Sequence, residues 1–190
     1  VTEHARPGDV GDEKGEILDR ALARVSPRRI LELGTYCGYS ALRMARVMPP
    51  GARLHSIEFS AANAAIARRI LGHAGVGDRV TVVVGTLGDG GGTIAKLESE
   101  HGFTHGAIDF VFIDHAKAAY LPDLERIVER GWLRRGSVVV ADNVKTPGAP
   151  EYRAHMQAEE AKRWRTVEHE THLEYQSLLG DLVLESEYLG

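Results

Sequence analysis

Ile108-Asp109-Phe110-Val111-Phe112-Ile113-Asp114 and Ser137-Val138-Val139-Val140-Ala141-Asp142-Asn143 are two short, nearly continuous apolar runs, and each ends in an acid. Such a run needs apolar cover on both faces, the condition of an interior strand in a parallel sheet. In an open α/β sheet, ligands bind outside the carboxyl ends of the strands. Asp114, Asp142 and Asn143 therefore fall where a ligand would be met. Two carboxylates and an amide carbonyl form a partial oxygen shell for a hard divalent cation, with positions left for water and a substrate. Lys117 follows Asp114 closely enough to touch whatever that cation holds.

Outward from these runs, helices and strands alternate as a doubly wound α/β sheet requires. The pattern predicts a helix over 14–25 with Ile17, Leu18, Ala21, Leu22 and Val25 on one face, then a strand over 29–33. A helix over 40–47 stops at Pro49-Pro50-Gly51, and a strand follows at 54–57. Ser60 can cap a helix whose Ile66, Ile70 and Ala74 are expected to face the core. A strand over 80–84, a glycine-rich loop over 88–92 and a helix over 94–100 lead to the first acid-ended run. Pro122 suits the first turn of the next helix, and Gly131 its end. After the second run, a polar helix over 152–162 precedes two loosely alternating segments, 165–173 and 181–188, that can form an antiparallel edge pair. No repeat and no long linker interrupts this order, so residues 1–190 are expected to form one domain.

Composition bounds the function. The chain has 190 residues, 43% hydrophobic, enough for one sizeable core. A net charge of -4 gives no general reason to bind nucleic acid or an anionic membrane, so a small molecule is the expected partner. Cys37 is the single cysteine, which rules out an intrachain disulfide and suits a reducing compartment. No apolar run reaches transmembrane length, and Val1 to Gly8 lacks a signal core, pointing to the cytoplasm.

The cofactor signal lies after the first strands. Glu32-Leu33-Gly34-Thr35-Tyr36-Cys37-Gly38-Tyr39-Ser40 is a glycine-bearing turn that lets backbone approach a ligand. The dinucleotide fingerprint requires glycine where Tyr36 stands, so a pyrophosphate is disfavoured. Glu58, at the end of the second strand, can accept both hydroxyls of a ribose. Together these features favour a nucleoside without phosphates, such as S-adenosylmethionine.

The strings Gly11-Asp12-Glu13-Lys14-Gly15-Glu16-Ile17, Leu31 to Ala41, Phe112-Ile113-Asp114-His115, Ala141-Asp142-Asn143-Val144 and Leu173-Glu174-Tyr175 closely resemble the catechol O-methyltransferase family, in order and over nearly the whole chain. The resemblance implies a Rossmann-like methyltransferase fold with a seven-stranded, mostly parallel sheet and an antiparallel C-terminal edge pair. It implies S-adenosylmethionine and Mg²⁺ as cofactors, with Mn²⁺ equally suited to the ligands, and a catechol or polyphenol acceptor. Either a single copy or a homodimer is compatible with it. By the same resemblance, Asp114, Asp142 and Asn143 hold the metal, Lys117 is the general base, and Glu174 holds the neighbouring hydroxyl. Glu58 binds the ribose, and Glu32 and Ser40 the methionine portion. Val10, Gly34, Tyr36, Phe59, Gly85, Asp114 and His115 complete the cofactor set, and Pro147 lines the substrate mouth beside Asp114, Lys117 and Asn143.

Some positions depart from that pattern. Arg6, Gly8 and Ala116 replace large apolar residues that wall the ring in the animal enzymes, and Leu87 and Gly88 replace a serine and a glutamine at the adenine end. A roomier site for larger or carboxylated catechols is expected, with Arg6 favouring an acid. Ordinary roles compete for each residue: Asp142-Asn143 can begin a turn, Lys117 can be solvated, Glu174 can be a surface acid, and Cys37 can simply pack under the turn. Lys145 competes with Lys117 as base. Other classes also compete: a metal-dependent enzyme for bulky natural products or hydroxycinnamoyl thioesters, a non-catalytic cofactor-binding protein, and a nicotinamide dehydrogenase, which the absent glycine fingerprint disfavours.

Overall fold

The computed structural model describes residues 10–173 and 176–190. Its seven strands are β1 (Arg29–Leu33), β2 (Arg53–Glu58), β3 (Val80–Val84), β4 (Ile108–Ile113), β5 (Leu133–Ala141), β6 (Trp164–Leu173) and β7 (Gln176–Tyr188). They form one sheet in the order β3-β2-β1-β4-β5-β7-β6. The first five strands are parallel, and β7 runs antiparallel to both β5 and β6. The strand order reverses between β1 and β4, the crevice where ligands of open α/β sheets bind.

Helices cover both faces. α1 (Val10–Val25), α2 (Tyr39–Val47) and α3 (Ala61–His73) contribute to one apolar cluster, and α4 (Gly92–His101), α5 (Tyr120–Glu129) and α6 (Pro150–Ala158) to the other. β4 shows why its sequence is apolar throughout: Phe110 and Phe112 enter the first cluster, Val111 and Ile113 the second, and all four are buried. Alternating side chains on a strand covered twice leave no polar face.

Three expectations are corrected. On α3 the buried residues are Ala64, Ala67 and Leu71, whereas Ile66 and Ile70 are exposed, as is Ala74. A Cβ built on Gly38 would stand 3.3 Å from the Ala67 Cβ, so the helix approaches the β1 turn through its smallest residues and turns its isoleucines outward. β5 starts at Leu133, earlier than its apolar run, because Leu133 pairs with Ile108 before the register shifts ahead of Phe110 and Val138. The intervening Gly136 has φ 88°, a conformation that glycine adopts without strain. α6 begins at Pro150 and ends at Ala158, short of Lys162, where the amides of Lys162, Arg163 and Trp164 turn back onto the Glu159 carbonyl.

Candidate active site

The turn after β1 lies directly over the crevice. Gly34 has φ 103°, and a Cβ there would come within 2.3 Å of the Asp114 carbonyl oxygen, so glycine is what lets the β1 and β4 ends meet. The Asp114 amide closes the junction by donating to the Leu33 carbonyl at 2.9 Å. Glu32 is fully buried below this turn, with the hydroxyls of Ser40 and Ser56 donating to its two oxygens. Burial pushes its carboxyl up to about 7 against the pull of those hydroxyls, with Asp114 and Glu58 adding to the rise.

Glu58 accepts from the Tyr36 amide at 2.8 Å on Oε2 and from the Ser60 amide at 2.9 Å on Oε1. Each carboxylate oxygen has two lone pairs, so one acceptor site per oxygen remains for a diol. Tyr36 and Phe59 beside it are 71% and 76% exposed, large apolar faces in solvent at the crevice. Gly85, at the end of β3, has no room for a side chain, because a Cβ would meet the Thr93 hydroxyl at 2.0 Å.

The ends of β4 and β5 meet around one ammonium. Lys117 Nζ lies 3.1 Å from Asp114 Oδ1, 3.4 Å from the Asp142 carbonyl and 3.5 Å from Asn143 Oδ1, and it donates to the Tyr120 hydroxyl. Tyr120 in turn donates to the Asp142 carbonyl at 2.9 Å. Burial, with Asp114 and Asp142 beside it, drives the Tyr120 phenol far above its ordinary range, so it stays protonated and orients Lys117. Asn143 sits in the left-handed region at φ 53°, a conformation asparagine tolerates better than most residues. Burial and the neighbouring Asp114 raise the Asp142 carboxyl despite Lys14.

His115 stacks on Tyr120, with centroids 5.3 Å apart, and its Nε2–H donates to the buried Asp123 at 2.8 Å. Asp123 also accepts from Arg126 at 2.7 Å. The Arg126 guanidinium lies 3.9 Å from where a Cβ on Gly88 would be, beside the adenine-end position where the family resemblance anticipates a glutamine. Leu87 is buried instead of offering a polar contact. Pro147 is exposed on the loop after Asn143, and Lys145 on the same loop is exposed as well.

Among the described residues, no group of three or more His, Cys, Asp or Glu side chains could hold a metal. The oxygen set of Asp114 and Asp142 is completed by an amide, Asn143. Val10 opens α1, while Glu174, Tyr175, Arg6 and Gly8 lie outside the described residues. Two participants escaped the sequence reading. Lys14 bonds Asp142 Oδ1 at 2.8 Å and Asp181 Oδ2 at 2.7 Å, and Asp181 also accepts from the Asn143 amide nitrogen at 2.7 Å. Lys14 stood in one of the family strings, but nothing local separates it from any helix lysine.

Comparison with known proteins places the fold and the family. The O-methyltransferase family model matches residues 2–175. A protein named as a probable O-methyltransferase in Mycobacterium tuberculosis is 62% identical over 96% of this chain and 77% of its own length. Pig catechol O-methyltransferase is 44% identical over 91% of this chain and 89% of its own length. Among solved structures, an O-methyltransferase from Bacillus cereus in complex with S-adenosylhomocysteine superposes with a TM-score of 0.75 at 24% identity, covering 99% of this chain and 84% of that one. A Streptomyces achromogenes O-methyltransferase involved in tomaymycin synthesis, in complex with S-adenosylmethionine, gives 0.75 at 25% identity, covering 94% and 80%. By its match to the family model and its identity to these relatives, this chain belongs to the catechol O-methyltransferase family of S-adenosylmethionine-dependent O-methyltransferases.

Proposed function

We propose that this chain, acting as one cytoplasmic methyltransferase domain, transfers the methyl group of S-adenosylmethionine to one hydroxyl of a catechol or polyphenol held on a divalent cation. The observation that carries this reading is the convergence of the Asp114 carboxylate, the Asp142 main-chain carbonyl and the Asn143 amide oxygen on Lys117 Nζ at the ends of adjacent strands, with the Asp142 carboxylate held beside them by Lys14. A site that already holds a positive charge among hard oxygen donors fits Mg²⁺ or Mn²⁺. Asp114, Asp142 and Asn143 would hold the cation. When bound, the cation would favour the phenolate of a hydroxyl whose ordinary pKa is about 10, and S-adenosylmethionine would supply a methyl group already activated for transfer.

The remaining work belongs to the protein. Lys117, its position fixed by Tyr120, is placed to take the proton of the reacting hydroxyl once its own ammonium has released one to solvent. Glu58 holds the ribose hydroxyls, Tyr36 and Phe59 flank that contact, and His115 borders the adenine with its ring locked by Asp123. Glu32 orients Ser40 toward the methionine end. Glu174 holds the second hydroxyl and Pro147 borders the acceptor. Alignment of acceptor oxygen, methyl carbon and sulfur then carries most of the catalysis. A bulkier natural-product acceptor is the second reading. It is favoured by Ala116, which leaves no ring wall beside Lys117, and by the likeness to the enzyme of tomaymycin synthesis.

The test is mass-spectrometric detection of methyl transfer to a panel of simple, carboxylated and large catechols, with Mg²⁺ and with chelator. The expected result is metal-dependent addition of one methyl group to at least one diol. Transfer that ignores the chelator would overturn the cation's role, and transfer restricted to the largest members would favour the second reading.

A further inference from the structure

Asp181, on β7, is 1% exposed, and the reaction proposed above gives it no task. Its Oδ2 accepts from Lys14 Nζ and from Asn143 Nδ2, each at 2.7 Å. Its Oδ1 accepts from the amides of Leu182 at 2.8 Å, Thr146 at 2.9 Å and Lys145 at 3.2 Å. A carboxylate has about four acceptor directions, so five donors saturate it. Lys14, also buried, neutralises it and bridges to Asp142 Oδ1 at 2.8 Å, where the Asn143 amide N–H donates as well at 2.6 Å.

Two consequences follow for the oxygens at the cation site. The Asn143 side chain has one acceptor end and one donor end. With Nδ2 committed to Asp181, Oδ1 is turned the other way, toward Lys117. Rotating the amide by half a turn would present N–H groups to a cation and set the carbonyl oxygen against a carboxylate. On Asp142, both described partners fall on Oδ1, which leaves Oδ2 as the oxygen free to bind a cation.

We propose that Asp181 and Lys14 are positioning residues for the cation site: Asp181 selects which end of the Asn143 amide faces the cation, and Lys14 selects which oxygen of Asp142 does. The inference rests on the cation reading of the site. It also explains why one buried carboxylate ties β7, the loop after Asn143 and α1 to the same point. Residues that orient ligands from behind typically change metal affinity by roughly 10–100-fold when replaced.

The experiment is titration of the purified full chain with Mn²⁺, following free Mn²⁺ by electron paramagnetic resonance, without S-adenosylmethionine or acceptor. Asp181→Asn places a donor opposite the Asn143 Nδ2, so the amide must rotate, and Mn²⁺ affinity is expected to fall at least about tenfold. Adding Asn143→Asp to that variant offers an oxygen in either orientation and accepts from the new amide, so affinity is expected to recover most of the loss. Because a carboxylate at position 143 raises cation affinity by its charge alone, recovery counts only where it exceeds the gain that Asn143→Asp gives in the otherwise wild-type chain. Should Asp181→Asn fail to fold, Lys14→Gln carries the test, with a similar loss expected. Wild-type-like affinity in the folded variant, or no recovery in the double variant, overturns the positioning role alone. Absence of Mn²⁺ binding by the wild type overturns the cation reading and takes this inference with it.

Discussion

Asp109 and Asp114 stand at opposite ends of β4, and their surroundings are opposite too. Asp109 Oδ2 accepts from the amides of Arg28 at 2.7 Å and Arg29 at 3.0 Å, and Oδ1 accepts from Arg134 Nε at 2.9 Å. Burial pushes its carboxyl up, and Arg134 with those two amides more than offsets this, leaving it below the ordinary carboxylate range. The Asp114 side chain is 37% exposed and is paired with Lys117 at 3.1 Å. The whole edge follows Asp109's example. Arg29 donates to the Gly102 carbonyl at the end of α4, Arg53 to the Asp78 carbonyl, and Arg79 to the Ala45 carbonyl in the last turn of α2 at 2.7 Å. In a doubly wound sheet the helices end at this edge, where their carbonyls are unpaired and their dipoles negative; Arg29 and Arg79 complete two of them, while Arg53 closes the turn before β3. The opposite edge keeps acids with acceptor capacity to spare. One edge closes the fold, and the other carries the proposed site.

Exchanging the two aspartates for asparagine should separate these roles. Asp114→Asn removes a proposed cation ligand but only a partly exposed ion pair, so methyl transfer is expected to fall roughly a thousandfold, with stability changed by less than about 1 kcal/mol. Asp109→Asn should do the reverse, costing about 3 kcal/mol because a buried acceptor of charged and backbone donors is weakened. The Asp109 carboxyl is depressed in the folded state, so its contribution is present above about pH 4 and fades below it. Denaturant unfolding and initial rates on both variants decide the matter. Equal losses of activity, or a more unstable Asp114→Asn, would abolish the distinction between the edges.

Acid should reveal the closed edge a second time. His55 on β2 is buried with Nδ1 unpartnered, and its ring packs on Phe103 at 5.1 Å. Burial lowers its pKa to about 4, with His101, Arg29 and Arg53 adding to the effect. The unfolded chain therefore binds the proton more readily, at an ordinary pKa of about 6.5. Stability from this residue is complete above that value and is lost as pH falls toward 4. Between pH 7.5 and 5 the loss is expected to reach about 2 kcal/mol. His55→Leu should flatten that part of the stability profile, and an unchanged slope would show that His55 takes up its proton equally in the folded and the unfolded chain.

What the sequence disclosed, and what it concealed, follow from the same contrast. Asp114, Asp142 and Asn143 were legible because position at a strand end is one-dimensional: an apolar run stops and an acid follows. Five parallel strands were legible for the same reason, as were the caps, where Ser60 accepts from the Asn63 amide at 3.3 Å. Lys14 and Asp181 were not, because their meeting at 2.7 Å joins residues separated by 167 positions, and each looks ordinary among its neighbours. The start of β5 was hidden by Arg134-Arg135-Gly136, polar residues that pair as a strand only because β4 offers Ile108 opposite Leu133. On α3, the rows through Ile66 and through Ala67 both satisfy a helical period. The choice between them was made by the turn at Gly38, against which Ala67 and Leu71 pack closely.

The smallest expected effect tests that last choice. Ile66 and Ile70 are 44% and 40% exposed and, with Leu42, border an open groove that also includes Arg69 and His73. Apolar side chains in such a place gain little by folding, since most of their surface meets water in both states. Ile70→Lys keeps a long aliphatic stem along the groove and adds a solvated charge, so stability should move by less than about 0.5 kcal/mol. Methyl transfer should be unchanged, because the buried side of the helix, Ala64, Ala67 and Leu71, is what rests under the cofactor turn. The measurement is a melting curve at two protein concentrations. A loss of several degrees at both would return Ile70 to the core. If instead the wild type melts higher at the higher concentration and Ile70→Lys loses that dependence, the groove is covered by a second copy of the chain, and the outward isoleucines are an interface.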